Sequence, residues 1–318
     1  MKIVIGTSPG EVTLARWRAE FPQVEFAVPM GPAEGVAAAR DADAWIGRIP
    51  REAFLAAGPG LRWVHSTGAG IETLAAIPEL VESDVTVTNT RGGHAPTIAD
   101  HTFALLLSLA RKLPALQADQ REHVWAGAGS RVGMRQLGGM TMTIVGFGNI
   151  GRAIGKRAVA FDMRVRGVDP FPGETPPGVE AVWPLDRLDE ALAETAALVV
   201  AAPLTPQTRG LIDARRIGLL PPGAYLIAIS RGGIVEEAPL IDALAAGRLA
   251  GAGLDVTATE PLPPDDPLWD APNLILTPHC SGASRQTTER VWELTTENVR
   301  HFVAGRPLTN ICDKRAGF

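Results

Sequence analysis

The sequence predicts an α/β protein built from two doubly wound, mainly parallel sheets. Three observations carry that expectation. Short β-rich runs alternate with amphipathic helical stretches in two successive series. A glycine-rich turn joins a strand to a helix at the start of the second series. Three later strands end in polar residues, at the edge where open α/β sheets bind ligands. A length of 318 residues is what two domains need.

The first series reads as strands at Lys2–Ile5, Val24–Val28, Ala44–Ile46, Leu61–His65 and Val85–Thr88, with helices at Val12–Glu20 and Arg51–Ala57 between some of them. Ile98–Arg111 is apolar nearly all round. That fits a helix buried on most sides, against another domain, a subunit or the core of its own domain. Leu113–Gly139 has no sustained strand pattern and reads as an arm or linker with Trp125 as its one large apolar anchor. The second series runs Met142–Val145, a helix to Phe161, Val165–Val168, Leu198–Ala201, Tyr225–Ile229, Gly251–Val256 and Leu274–Thr277. A long helix follows from about Arg285 to Val303.

Composition narrows the function classes. Hydrophobic residues at 46% and charged residues at 20% exclude a largely disordered chain. A net charge of −5 gives no overall electrostatic case for a nucleic-acid or anionic-membrane partner. Only four of the 30 basic residues are Lys. The bias fits a GC-rich genome, and equally an Arg that grips a planar anion. Cys280 and Cys312 make neither a CxxC pair nor a disulfide framework, which fits a reducing cytosol. The start of the chain lacks the apolar core of a signal peptide, and the apolar stretch at 103–110 is shorter than the ~20 residues of a membrane span. A cytoplasmic protein is expected.

Thr141–Gly151 reads TMTIVGFGNIG: strand, glycine turn, helix start. Gly146 permits the tight turn, Gly148 lets backbone approach a pyrophosphate, and Gly151 lets helix and strand pack. The helix start offers N–H groups to phosphates. Asp169 ends the next strand, 18 residues after Gly151. A carboxylate there can accept both ribose hydroxyls of NAD and would repel the 2′-phosphate of NADP, or it is a solvated loop acid. Arg164 and Arg166 are neighbours through which the extra phosphate could be tolerated. S-adenosylmethionine sites can use a similar turn and acid, so the turn alone does not select hydride transfer.

Arg231, Glu260 and His279 each lie just past a predicted strand end. An Arg can hold a carboxylate bidentately and polarise a ketone. A His can exchange a proton with an alkoxide. A carboxylate on the other ring nitrogen would fix its tautomer. The remaining histidines, His65, His94, His101, His123 and His301, are expected to be structural or exposed, although His94 and His101 flank the apolar helix and either could touch the cleft. None has convincing metal-ligand spacing with acids, so no metal is expected.

With these residues in view, the chain resembles the D-isomer-specific 2-hydroxyacid dehydrogenase family. GFGNIG, PLTPQTRGLI from Pro203, SRGGIVEE, GLDVTATEPLP and TPHCSG carry the likeness in order and spacing. The resemblance implies NAD, less readily NADP. It implies Arg231 as substrate binder, His279 as acid/base and Glu260 as its partner. It also implies Asn149 and Ile150 at the pyrophosphate and Asp255 at the nicotinamide carboxamide, with Pro203, Thr208, Ile229, Ser230, Ser281 and Gly282 along the cofactor path. The loop Thr67, Gly68, Ala69, Gly70 resembles the family's carboxylate cradle, whose glycines expose backbone N–H groups. Thr257 and Ser281 depart from the family's usual aromatic residue and glycine, so a named substrate does not transfer. Residues 1–98 plus 287–318 are then expected as a discontinuous substrate domain and 99–286 as a Rossmann-like NAD domain, both flavodoxin-like in winding, with a cleft between them and a homodimer as the assembly. The rival expectation is a dinucleotide-sensing binding protein, corepressor-like, on the same fold without significant turnover.

Overall fold

Most strands of this chain are buried on both faces, and a sheet with both faces covered is what they build. The molecule is described from a computed structural model, over residues 1–125, 127, 129 and 132–317. It divides into two units, Met1–His94 with Ser284–Phe318, and Ala95–Ala283.

The first unit contains β1 (Lys2–Ile5), α1 (Glu11–Glu20), β2 (Glu25–Ala27), α2 (Pro32–Ala39), β3 (Ala44–Ile46), α3 (Arg51–Ala56), β4 (Trp63–His65), α4 (Glu72–Ala75), α5 (Pro78–Glu82) and β5 (Thr86–Thr88). All strands are parallel, in the order β2-β1-β3-β4-β5. Period-2 alternation splits β1, β3 and β4 between two cores: Val4, Trp45 and Val64 enter one, Ile3, Ile5, Ala44, Ile46 and Trp63 the other. The second unit contains α6 (Ala95–Ala110), α7 (Leu113–Arg121), β6 (Thr141–Val145), α8 (Asn149–Ala160), β7 (Arg164–Val168), β8 (Ala181–Trp183), α9 (Leu188–Leu192), β9 (Ala197–Val200), α10 (Ala214–Leu219), β10 (Ala224–Ala228), α11 (Glu237–Ala245), β11 (Leu249–Leu254) and β12 (Leu274–Leu276). Its seven parallel strands run β12-β11-β10-β9-β6-β7-β8. The order reverses at the β9–β6 boundary, the topological switch point at which such sheets bind ligands.

Finally α12 (Arg285–Val303) returns to the first unit. Ser284 caps it by accepting the Thr287 N–H at 3.0 Å. Trp292 and Val299 pack with Trp17, Phe26 and Trp63, and Trp17 Nε1 donates to Thr296 Oγ1 at 2.9 Å. His65 is fully buried, with Nδ1 2.7 Å from Thr88 Oγ1 and Nε2 2.9 Å from Thr295 Oγ1. Burial among hydroxyls and indoles pushes its pKa down to about 3, so the ring is neutral.

Helix α6 buries Ile98, Ala99, Phe103, Leu105, Leu106 and Leu109 against α8, β10 and β11 of its own unit. The expected arm differs from its reading. Part of it, α7, is a helix with no buried residue, which is why no apolar period marks it. Residues 126, 128, 130 and 131 of that segment lie outside the described residues. Trp125 is 98% exposed, so it anchors nothing among the described residues. Among the described residues no helix is long and apolar enough to cross a membrane.

Candidate active site

The three glycines after β6 meet three separate demands. Gly146 adopts φ +89°, and a Cβ there would lie 2.4 Å from the Ala202 backbone nitrogen, so the switch point closes only over a hydrogen. A Cβ on Gly151 would lie 2.2 Å from the Gly146 carbonyl oxygen, so α8 can approach β6 only through glycine. A Cβ on Gly148 would meet nothing within 4 Å. That open space, at a helix N-terminus without a side-chain cap, is where an anion fits.

Asp169 follows β7, and Pro170 comes next. Its Oδ2 accepts the Phe147 N–H at 2.8 Å, and its Oδ1 accepts the Phe171 N–H at 2.9 Å. The carboxylate therefore braces the glycine turn as well as ending the strand. Arg164 and Arg166 are committed elsewhere: their Nε atoms lie 2.7 Å and 3.0 Å from Glu180, and Arg166 Nη2 lies 2.7 Å from Glu194.

After β9, the Thr208 hydroxyl donates to the Pro203 carbonyl at 2.6 Å and accepts the Thr205 N–H at 2.7 Å, closing the Pro203–Thr208 loop on itself. After β10, Ile229 and Ser230 are buried, and the Ser230 hydroxyl is a buried polar atom with no partner among the described residues. An orphaned hydroxyl beside the glycine-rich edge suits a polar ligand. Arg231 Nη1 donates to the Ser230 carbonyl at 2.7 Å. A Cβ on Gly232 would lie 1.9 Å from the Thr257 carbonyl oxygen, so the Arg231 turn and the loop leading to Glu260 pack backbone to backbone.

His279 Nδ1 lies 2.7 Å from Glu260 Oε2. Both side chains stay open to solvent, at 44% and 37% exposure. This contact leaves Nε2 as the ring nitrogen for proton exchange. His279 adopts φ +49°, in the left-handed region costly for a residue with a Cβ. Its N–H donates to the Asp255 carbonyl at 2.8 Å. The other Glu260 oxygen accepts the Thr257 N–H at 3.1 Å, and Glu237 on α11 accepts the Ala258 N–H at 2.6 Å.

Asp255 is fully buried. Oδ1 accepts the Thr277 hydroxyl at 2.6 Å and the Cys280 N–H at 2.9 Å; Oδ2 accepts the Ser281 N–H at 2.8 Å. Burial alone would raise its pKa, but the hydrogen bonds from Ser281, Thr277 and Cys280 outweigh burial and hold the carboxyl below its usual range. Ser281 is buried beside it and Gly282 partly buried.

In the first unit, all four carbonyls of the Thr67–Gly70 loop accept internal donors. Thr67 accepts from Thr90 Oγ1 at 2.9 Å, Gly68 from the Thr90 N–H at 3.2 Å, Ala69 from Asn89 Nδ2 at 2.6 Å, and Gly70 from Ser66 Oγ at 3.2 Å. The Gly68 N–H donates to Ser66 Oγ at 3.2 Å, so the N–H groups of Thr67, Ala69 and Gly70 are the loop's offering to an anion.

Sequence reading missed Thr277, Glu237 and the Asn89–Thr90 pair, and singled out His101 only as a residue that could touch the cleft. His101 Nε2 lies 3.0 Å from Thr277 Oγ1. Thr277 and Glu237 lie inside TPHCSG and SRGGIVEE, but nothing in either residue type marked its role; the signal for His101 was its place flanking the apolar helix.

A family model described as D-isomer specific 2-hydroxyacid dehydrogenase, NAD binding domain, matches residues 103–281. The D-3-phosphoglycerate dehydrogenase of Mycobacterium tuberculosis is 35% identical over 254 residues, 79% of this chain and 47% of that protein. The chain thus spans about half the length of that relative. The glyoxylate reductase of Korarchaeum cryptofilum is 37% identical over 273 residues, 84% of this chain and 80% of that one. A crystal structure of a D-isomer specific 2-hydroxyacid dehydrogenase from Xanthobacter autotrophicus Py2, in complex with NADPH and MES, aligns with a TM-score of 0.81 at 30% identity, over 100% of this chain and 99% of that chain. On the glycine turn, the strand-end residues and these matches, the chain belongs to the D-isomer specific 2-hydroxyacid dehydrogenase family.

Proposed function

We propose that the chain transfers a hydride between NAD and C2 of a small D-2-hydroxy or 2-oxo acid, either as a glyoxylate or hydroxypyruvate reductase or as a phosphoglycerate-type dehydrogenase. The observation that carries this reading is the 2.7 Å pairing of His279 Nδ1 with Glu260 Oε2, beside the packed Arg231 turn. Ala95–Ala283 is the NAD domain in this reading, and the other unit is the substrate domain.

Gly146, Gly148, Asn149, Ile150 and Gly151 hold the pyrophosphate, and Asp169 holds the ribose hydroxyls. Pro203, Thr208, Ile229 and Ser230 line the cofactor path, with Asp255, Ser281 and Gly282 at the carboxamide end. The open space at Gly148 and the unpartnered Ser230 hydroxyl support the fit. When bound, NAD supplies the two-electron hydride acceptor. Asp169, with Arg164 and Arg166 already paired, favours NAD over NADP.

Arg231 grips the substrate carboxylate and polarises the carbonyl. The Thr67, Ala69 and Gly70 amides hold an anionic end of the substrate. In the oxidative direction neutral His279 accepts the hydroxyl proton at Nε2; in reduction its imidazolium returns one. Glu260 fixes the tautomer and stabilises the charged ring. His279→Ala should cut turnover by roughly 10²–10⁴ with 2-oxo acids while NADH still binds, followed by fluorescence titration. Full turnover in that variant refutes the assignment.

The protein is further proposed to be a cytoplasmic homodimer, with small molecules rather than nucleic acid or membranes as its other partners. Unpaired Cys280 and Cys312 support the compartment. Exposed Val124, Trp125 and Val132 support a subunit contact. A single monomeric species in light scattering at micromolar concentration refutes the dimer.

A further inference from the structure

His101 on α6, Asp255 after β11 and Cys280 after β12 bring an imidazole, a carboxylate and a thiol to one point. Their donor atoms all lie within 4.8 Å of one another, and His101 Nε2 is 3.7 Å from Asp255 Oδ1. Among the described residues this is the one group of three or more such side chains that assembles. It is invisible in the sequence because the three positions share no spacing.

Asp255 is a buried carboxylate whose oxygens are satisfied by hydrogen bonds. Its hydrogen-bond donors include the Thr277 hydroxyl, the Ser281 side chain and the Cys280 and Ser281 backbone amides, all neutral. Among the described residues its one ion-pair partner is His101, which is charged only when protonated. A cation beside the carboxylate adds a charge–charge attraction that these dipoles do not supply. His101 is 21% exposed, so an ion can reach the cluster from solvent.

We propose that His101 Nε2, Asp255 Oδ1 and Cys280 Sγ form a binding site for a borderline-soft divalent cation of the Zn²⁺ type, completed by the Thr277 hydroxyl or water. Mixed N, O and S donors select zinc over magnesium or calcium, which take oxygen ligands. Zinc bonds of about 2.0–2.3 Å put neighbouring tetrahedral donors roughly 3.3–3.7 Å apart. The His101–Asp255 separation already meets this, and side-chain shifts of about 1 Å bring in the thiol. Cys280 is a free cysteine and carries S–H. Binding breaks that bond, forms a metal–sulfur bond and releases one proton to solvent.

Asp255 is also the proposed holder of the nicotinamide carboxamide. The cation and the dinucleotide therefore exclude each other, a consequence that rests on that reading of the cofactor site.

The test uses the reduced, metal-stripped full chain without a histidine tag, titrated with Co²⁺. A thiolate-to-cobalt charge-transfer band should appear, Zn²⁺ should bleach it, and a weakly buffered solution should gain about one proton per ion. Cys280→Ser should abolish the band and His101→Gln should weaken binding at least about tenfold, both with native circular dichroism; Cys312→Ser should keep the band. No band in the unaltered chain, or a full band in Cys280→Ser, overturns the site. Saturating NADH should bleach the band. A band that persists with NADH bound overturns the mutual exclusion alone. None of these readouts requires turnover, so failure of the dehydrogenase reading is seen separately.

Discussion

Gly148 and Gly151 sit three residues apart, yet alanine should act on them through different physics. At Gly151 the added Cβ would lie 2.2 Å from the Gly146 carbonyl oxygen. Relief needs more than about 1 Å of separation between α8 and the turn. Overpacking of this kind costs roughly 1–3 kcal/mol. Replacing a helical glycine by alanine returns about 1 kcal/mol, so the steric cost wins by about 1–2 kcal/mol at its upper end. At roughly 2–4 °C per kcal/mol, Tm should fall by about 2–8 °C. At Gly148 the Cβ meets nothing within 4 Å, and the φ of −75° is ordinary for alanine. Only the weak capping preference is lost, below about 1 kcal/mol. Its cost should appear on ligand binding, because the methyl occupies the proposed path of the pyrophosphate. A tenfold rise in NADH Kd, about 1.4 kcal/mol, is the minimum expected. Differential scanning calorimetry and NADH fluorescence titration on both variants decide it. Equal Tm losses, or unaltered NADH binding in Gly148→Ala, would refute the separation of roles.

Glu260→Gln should lower kcat by about tenfold or more with little change in NADH affinity, since the 2.7 Å contact acts through His279; an unchanged kcat counts against the pairing. Asp169→Ser should raise KM for NADH more than KM for NADPH, and should lower Tm, because the Phe147 N–H loses its acceptor; a constant NADH/NADPH ratio contradicts the ribose role. His65, with its pKa depressed to about 3, stays neutral when folded but takes a proton below its usual 6.5 when unfolded. Its contribution is therefore complete above pH 6.5 and is lost as pH falls toward 3, at up to about 1.4 kcal/mol per pH unit. A folded-state NMR titration showing His65 protonated at pH 5 would overturn this.

The fold was legible wherever burial imposed a period. Lys2–Ile5, Ala44–Ile46 and Arg285–Val303 read off the sequence with the bounds the structure has. Helix α7 buries nothing and β8 is only half-buried, so neither left a pattern. The candidate site was legible where a residue type sat against glycine or a strand end, as with Gly146, Asp169 and His279. It was illegible where a role depends on position alone. Thr277 looks like any threonine until its hydroxyl is seen between Asp255 and His101. Glu237 reads as a helix-start acid until its carboxylate meets the Ala258 N–H.

The return of α12 to the first unit sets an order for synthesis. Residues 95–283 form one uninterrupted stretch and can pack as soon as they emerge. The first 94 residues emerge earlier but lack Thr295, Thr296, Trp292 and Val299. Until those arrive, Trp17 has no acceptor for its indole N–H, and His65 and Trp63 face an open groove. The first unit to leave the ribosome is thus the second to finish. During that interval its exposed aromatic face is the part of the chain most in need of a chaperone.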